Sequence, residues 1–178
     1  SPAAAASSTP VGGSQDQWEF RGGNAEGHHY SRMTDISEQT VGRLGLAWVS
    51  DIPSVDGPVG TPIVANGVSF VIATKNVVFA HDLKTGKLLW TFDPQIRFSA
   101  KNMQPNWGAR ITRGVAYADG KVFESTADCR LIAIDAKTGK QAWQAQVCPA
   151  DDAYTITSAP RVGGGMVFRS EEHTSELQ

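Results

Sequence analysis

The 178-residue sequence has no long apolar run. No stretch approaches the roughly 20 apolar residues that a membrane-spanning helix needs, and no apolar segment of a secretion signal is present. An excess of positive charge is also absent, since 16 Lys and Arg stand against 18 Asp and Glu. Without a basic surface, binding to nucleic acid or anionic lipid is disfavoured. We therefore expect neither a transmembrane segment nor a nucleic-acid partner.

Residues that bind metal ions are scarce. The chain has two Cys and four His, whereas a structural zinc ion takes four ligands. The neighbouring His28 and His29 do not make a metal site, because adjacent residues of a strand point to opposite faces. The sequence therefore predicts no metal site within this chain.

Glycine and proline, by contrast, are plentiful. The 18 Gly and 9 Pro separate short runs of β-branched residues, a pattern that predicts many turns and strands and few long helices. Residues 1–16 are small and polar, so we expect a disordered leader or linker there. Either a mature N-terminus after export or an arbitrary boundary explains that segment.

An internal repeat is the most informative feature of the chain. The segment VFAHDLKTGKLLW, residues 78–90, aligns without a gap to LIAIDAKTGKQAW, residues 131–143, which lies 53 positions further on. Upstream, Asn66-Gly67 matches Asp119-Gly120 at the same offset, and residues 163–168 begin a third copy. A period of about 45 to 53 residues is the length of one four-stranded propeller blade. The repeat therefore predicts an all-β, partial β-propeller.

The Asp-x-x-Thr-Gly-Lys segment of each copy predicts a tight turn. Asp and Thr side chains accept or donate hydrogen bonds within such a turn, while Gly takes the left-handed conformation. A phosphate-binding loop is disfavoured, because the full Gly-x-x-x-x-Gly-Lys-Ser/Thr pattern is absent and strands flank the turn on both sides. Trp90 and Trp143 recur at one position of the repeat, which favours packing between neighbouring blades over ligand stacking.

These repeats resemble the tryptophan-docking motif of the quinoprotein propellers, Ala-x-Asp-x-x-Thr-Gly-x-x-x-Trp. Non-enzymatic scaffold propellers carry similar repeats, so the N-terminal module is more specific. Trp18 to Asn24, His29-Tyr30-Ser31 and Leu44 to Trp48 resemble the opening of the pyrroloquinoline quinone (PQQ)-dependent methanol and ethanol dehydrogenases, with Arg32 where Pro is usual. The resemblance covers residues 17–168. It implies the first blades of an eight-bladed quinoprotein propeller, about two blades and the start of a third.

The resemblance also implies residues that contact the cofactor. The Arg of the family's Arg-Gly-Val-Ala segment, which hydrogen-bonds the quinone oxygens, corresponds to Arg113. A guanidinium suits that task because it is a planar, permanently charged donor; an Arg paired with a carboxylate at the channel is the alternative. The Thr of the family's Thr-Ile-Thr-x-Ala-Pro segment corresponds to Thr157, whose alternative role is that of an ordinary strand residue.

Two departures from the family pattern concern the same cofactor. The family's neighbouring Cys pair, which covers one face of the quinone, would fall at Trp107-Gly108, so that disulfide is missing. Trp107 is a candidate to cover that face by stacking, with loop packing as the alternative. Val59 stands where these alcohol dehydrogenases carry a Glu that contacts the cofactor. A subfamily with altered cofactor contacts, or a protein that has lost PQQ, would explain both changes.

The two cysteines are predicted to face each other across one hairpin. Positions that pair across the turn at residues 135–140 should have numbers adding to about 276, and Cys129 with Cys148 gives 277. A disulfide there would fit an oxidising compartment such as the periplasm. Two buried free thiols are the alternative.

The sequence loses its pattern after residue 168. Residues 169–178, RSEEHTSELQ, are polar and resemble the translation of a common sequencing adapter, so we interpret them as a non-native tail. In the family the calcium ligands, the catalytic Asp and the Trp beneath the quinone follow this point. The resemblance therefore implies the N-terminal fragment of a periplasmic dehydrogenase, with no catalytic residue assigned to it.

The parent protein, on this resemblance, oxidises an alcohol or sugar with PQQ and calcium. Electrons would pass to a cytochrome c or a quinone, and the fragment alone would be inactive. The alternative is a non-enzymatic propeller that binds partner proteins. The N-terminal module, Arg113 and Thr157 favour the enzyme, whereas Val59 and the missing Cys pair favour the scaffold.

Overall fold

The computed structural model describes residues 17–24, 26–31, 33–54, 60–97, 112–149, 154–170 and 172–173. Within them the chain forms short strands joined by tight turns, with 3₁₀ turns at Val41–Arg43 and Thr74–Asn76. This part of the chain contains no helix with the length and hydropathy needed to cross a bilayer. The predicted leader, residues 1–16, lies outside the described residues.

Two four-stranded antiparallel sheets contain most of the strands. The first blade consists of β1 (Ile63–Ala65), β2 (Val68–Ile72), β3 (Val78–Asp82) and β4 (Leu88–Phe92), paired in that order. The second consists of β5 (Ala116–Ala118), β6 (Lys121–Ser125), β7 (Arg130–Asp135) and β8 (Gln141–Gln146), paired likewise. The repeat thus corresponds to two successive blades, and the chain is a partial β-propeller.

Shorter strands follow the second blade. β10 (Arg161–Gly163) and β11 (Met166–Phe168) form a hairpin at the place where the third copy of the repeat begins. β9 (Tyr154–Thr155) pairs with β12 (Glu172–His173), so two residues of the predicted non-native tail take part in backbone pairing. The hairpin is the start of a third blade.

Alternating side chains place an apolar core on each face of the second blade. Val122 on β6 packs toward the first blade, in a cluster that includes Phe70, Ile72 and Ile132. Phe123, the next residue, packs on the opposite face with Ala133 and, from the third blade, Val162 and Val167. Successive side chains of β6 therefore point to opposite faces of the second blade and pack it against the first and the third blade.

The Asp-x-x-Thr-Gly turns adopt the predicted conformation. The backbone N–H and the hydroxyl of Thr85 both donate to Asp82 Oδ1, each at 2.7 Å, and Thr138 repeats this arrangement on Asp135 at 2.7 and 2.8 Å. These hydrogen bonds lower the pKa of both aspartates. Each turn therefore holds its carboxylate in the charged form.

A tryptophan connects the first blade to the second through one of these turns, whereas Trp143 of the second blade is 38% exposed. Trp90 of the first blade lies over Gly139 of the second, and its Nε1 donates to the carbonyl of Ala136 at 3.0 Å. Gly139 has a φ of 70°, and a Cβ there would lie 2.7 Å from Cδ2 of Trp90. Glycine is therefore required both for the backbone conformation and for the close approach of the indole. The predicted packing role of Trp90 is confirmed.

Candidate functional site

Three consecutive blades meet through their backbones where their inner strands begin. The N–H of Thr61, before β1, donates to the carbonyl of Arg113, before β5, at 3.4 Å, and Thr61 and Gly114 form a parallel bridge. The N–H of Arg113 in turn donates to the carbonyl of Thr157, before β10, at 2.9 Å. These links bring Arg113 and Thr157 together at one end of the inner strands.

The side chains of Arg113 and Thr157 lie in different surroundings. Arg113 is exposed, whereas Thr157 is only 5% exposed. The hydroxyl oxygens of Thr157 and Thr112 are both buried, and neither has a hydrogen-bond partner. A buried hydroxyl without a partner is costly unless a ligand or water completes its hydrogen bonds. Thr157 itself does not line the cavity beside Arg113, although the next residue, Ser158, does.

A cavity of about 800 Å³ opens beside Arg113. Its walls come from the N-terminal module, the segment at Arg113 and the β10–β11 hairpin, and its volume falls within the usual range for small-molecule sites. Its lining includes Arg21, Arg113 and Arg161 together with Glu19 and Glu26, and Arg169 from the segment interpreted as a non-native tail. The cavity therefore offers polar and charged groups of both signs to a ligand.

A quinone that carries carboxylate groups fits these residues. The exposed guanidinium of Arg113 is a donor for quinone or carboxylate oxygens, and the unpaired Oγ1 of Thr157 lacks the partner that such a ligand would supply. Trp107 and Val59 lie outside the described residues, so stacking by Trp107 stays a prediction. Among the described residues, no group of three His, Cys, Asp or Glu is placed to hold a metal ion.

The structure joins Cys129 and Cys148 in a disulfide, with the Cα atoms 5.2 Å apart and the S–S distance 1.96 Å. The strand register brings the two cysteines close, because Arg130 lies opposite Gln146 and the N–H of Val147, next to Cys148, donates to the carbonyl of Cys129. Gln146 Nε2 donates to the carbonyls of both cysteines, at 3.1 and 2.8 Å. The disulfide therefore closes one end of the β7–β8 hairpin.

A buried ion pair lies next to the disulfide. Asp128 is 2% exposed and receives hydrogen bonds from Arg130 Nε at 3.0 Å and Nη2 at 2.7 Å, and from the N–H of Arg97 at 3.0 Å. Burial acts to raise the pKa of Asp128, but the hydrogen bonds from Arg130, Arg97 and Thr126 outweigh it and lower the pKa. The ion pair therefore stays charged and links β7 to the segment that follows β4.

Glu124 is a buried acid that the sequence analysis missed. It is fully buried on β6 opposite Ile132, and neither carboxyl oxygen has a hydrogen-bond partner. Burial raises its pKa well above the ordinary value; the charge of Arg130 opposes this shift, and the charges of Asp128 and Asp93 add to it. The only sequence signal for its burial is the spacing of two residues from Val122, which places both side chains on the same face of β6.

Comparison with known proteins identifies the class to which this fold belongs. The family model "Glucose/ethanol/alcohol dehydrogenase, beta-propeller domain", a PQQ family, matches residues 18–146. The chain belongs to this family of PQQ-dependent dehydrogenase propellers, as the resemblance implied.

The relatives are enzymes of the same class. The chain is 43% identical over 153 residues to 1-butanol dehydrogenase (cytochrome c) of Thauera butanivorans, and 39% identical over 152 residues to lupanine 17-hydroxylase [cytochrome c] of a Pseudomonas species. Each alignment covers 85% of this chain and 22% of the relative. The solved quinohemoprotein alcohol dehydrogenase from Comamonas testosteroni superimposes with a TM-score of 0.77 at 36% identity, over 89% of this chain and 23% of that protein. The chain thus spans about a fifth of the length of these relatives.

Proposed function

We propose that the full-length protein is a PQQ-dependent dehydrogenase that oxidises an alcohol or a sugar, and that this chain forms part of the cofactor wall. One observation carries the proposal: the 2.9 Å backbone hydrogen bond from Arg113 to Thr157 brings these two residues to the same end of the inner strands, where Thr157 holds a buried, unpaired hydroxyl. On the resemblance of the segments around them, both residues would correspond to positions that contact the cofactor in the family.

Each side chain would have a separate task in holding the cofactor. Arg113 would donate hydrogen bonds to oxygens of the quinone and keep its charge when the electron density there increases. Thr157 Oγ1 would complete its hydrogen bonding with a polar atom of the same ligand. When bound, PQQ supplies the two-electron oxidising chemistry that protein side chains lack. Arg113 and Thr157 are therefore binding residues and not acid–base catalysts.

Calcium and the electron acceptor belong to the same proposal. The Lewis-acid calcium ion of the family would be held outside the described residues, since no metal-binding group of three acids, His or Cys occurs among them. Two relatives carry "cytochrome c" in their names, which supports a cytochrome c as the acceptor; a quinone is the alternative. We further propose that the 178-residue chain alone does not oxidise alcohols.

A periplasmic location is proposed on the strength of the disulfide. The Cys129–Cys148 disulfide would persist in an oxidising compartment and would be reduced in most cytosols. Labelling of free thiols in protein isolated from intact cells tests this location. We expect no free thiol at either position, whereas two reactive thiols in freshly lysed cells would contradict it.

The function is tested by expressing the full-length gene in a periplasm and adding PQQ and Ca²⁺ while alcohols and sugars reduce a redox dye. We expect dye reduction that requires both additions. Thr157→Val keeps the shape of the side chain and removes the hydroxyl, so it should weaken PQQ binding; Arg43→Ala, on the exposed 3₁₀ turn, is the matched control. A folded protein that neither binds PQQ nor reduces the dye would support the protein-binding scaffold, which Val59 and the absent Cys pair favour.

A further inference from the structure

Three hydroxyl groups are buried where the second blade meets the third. They belong to Thr112, Ser125 and Thr157, which are 5%, 1% and 5% exposed. No hydrogen-bond partner for any of the three hydroxyl oxygens lies in the described part of the chain. A hydroxyl that loses its hydrogen bonds to bulk water on folding destabilises the protein unless another partner replaces them. The three groups therefore indicate a polar ligand that the protein itself does not supply.

The backbone places Thr112 and Thr157 side by side. The N–H of Arg113 donates to the carbonyl of Thr157 at 2.9 Å, so the segment before β5 runs beside the segment before β10. One position further along both segments, a Cβ on Gly114 would lie 3.5 Å from the Cβ of Ala159. Contacts that advance together along both segments are those of parallel extended chains. In this register Thr112 lies beside Thr157.

Ser125 lies on the face of the second blade that meets the third. It follows Phe123 by two positions on β6, and Phe123 packs against the third blade. Ala116 of β5 lies opposite Phe123, so continuing this register by two positions brings Gly114 beside Ser125. The hydroxyl of Ser125 therefore lies near the two threonines that flank Gly114.

The equivalent position of the first blade is filled by an apolar side chain. Ile72 precedes Ser125 by one repeat of 53 residues, is 1% exposed and packs in the apolar cluster between the first and second blades. Serine has two side-chain atoms other than hydrogen, whereas isoleucine has four. A Cβ on Gly114 would meet no atom closer than 3.5 Å. The interface between the second and third blades therefore has room that the first interface lacks.

We propose that Thr112, Ser125 and Thr157 bind one buried water molecule between the second and third blades. A buried water makes about three hydrogen bonds to polar groups that have no other partner, and this site offers three hydroxyls. Each hydroxyl has one hydrogen to donate and two acceptor positions, so all three can bond to the same water. The three groups are neutral, which favours water over an ion that would need opposite charges around it.

This water would brace the backbone that presents Arg113. Thr112 precedes Arg113, and Thr157 accepts the hydrogen bond from its N–H. A water bonded to both threonine side chains adds a second link between the same two segments. Arg113 and Ser158 line the neighbouring cavity, whereas the two threonines do not. The consequence for Arg113 rests on the proposed function, but the water site itself does not.

Crystal structures of the full-length protein, one without PQQ and one with it, test the site directly. We expect in both a water within about 2.5 to 3.0 Å of the three hydroxyl oxygens. A direct hydrogen bond between Thr112 and Thr157 with no water between them would overturn the proposal. A cofactor oxygen in place of the water would also overturn it, while supporting the proposed function.

The sign of a stability change gives a second test. In the full-length protein without PQQ, we expect Thr112→Val and Ser125→Ala each to lower the midpoint of thermal unfolding, because each variant deprives the water and the remaining hydroxyls of a partner. The double variant should lose less than the two single losses together, since both remove the same water. Thr34→Val, at an exposed position, is the control and should leave the midpoint unchanged.

Higher midpoints in the two single variants would contradict the proposal, since removal of an unsatisfied buried hydroxyl stabilises a protein. Neither the water position in the PQQ-free crystal nor the unfolding midpoint depends on PQQ binding or dye reduction. Failure of the water site is therefore distinguishable from failure of the proposed function.

Discussion

Replacing Glu124 by Gln tests how a buried acid affects the packing of the first two blades. The carboxyl group is fully buried on β6 and has no hydrogen-bond partner. The charged groups that act on it are Arg130, which favours ionisation, and Asp128 and Asp93, which oppose it. Burial outweighs the attraction to Arg130, so the folded protein holds Glu124 as the neutral acid.

The effect of Glu124 on the free energy of unfolding depends on pH, because the carboxyl group must bind a proton when the protein folds. The pKa of Glu124 is raised well above its ordinary value of 4.5. For a carboxyl that folding keeps neutral, each pH unit between the ordinary pKa of 4.5 and the raised pKa of the folded state costs about 1.4 kcal/mol. Stability is therefore highest below the ordinary pKa and decreases as the pH rises toward the folded pKa. Glu124→Gln removes this dependence.

Urea unfolding followed by tryptophan fluorescence measures the effect, because Trp90 packs between the two blades. The stability of Glu124→Gln relative to the unmodified protein should increase as the pH rises above 4.5, by up to about 1.4 kcal/mol for each pH unit. Glu38→Gln, at an exposed position, is the control and should show no such trend. A stability difference that is constant with pH would refute the reasoning, since Glu124 would then be ionised or paired in the folded state.

Two further substitutions test the hairpin and the docking of tryptophan. Cys148→Ala removes the disulfide to Cys129 and should lower the free energy of unfolding by about 3 kcal/mol, the value expected for a disulfide that spans 19 residues. A reducing agent should destabilise the unmodified protein by the same amount and leave the stability of the variant unchanged. Gly139→Ala should destabilise more than Gly120→Ala by about 1 to 3 kcal/mol in urea unfolding, because φ is alike at 70° and 71° but only the Cβ at residue 139 meets Trp90. Equal effects would show that the indole contact contributes nothing.

The fold could be predicted because each copy of the repeat contains the residues that form its own turn. Asp82 and Asp135 accept their hydrogen bonds from Thr residues only three positions away, so the turn is encoded within a few residues. The spacing of Trp90 and Trp143 then fixes the blade length. The contact of Trp48 with the first blade could not be predicted in this way, because the segment before Trp48 lacks the turn motif and the turn that it contacts, at Leu83, is 35 residues distant.

The candidate site was predictable only in part. Arg113 and Thr157 were assigned by resemblance, and it is the structure that supplies their backbone link and the unpaired hydroxyl. Glu124 was missed because its position in β6 is that of an ordinary strand residue. Its isolation depends on packing against the first blade, which is a tertiary property that no local pattern records.

Calorimetric titration of PQQ into the full-length apoprotein in the presence of Ca²⁺ tests the central claim most directly. Arg113→Gln keeps hydrogen-bonding capacity but removes the charge and the planar fork, so we expect binding at least about tenfold weaker than in the unmodified protein and in Arg43→Ala. Equal affinity in all three proteins would show that Arg113 does not hold the cofactor. Absence of binding in the folded, unmodified protein would contradict the assignment of a PQQ-dependent dehydrogenase.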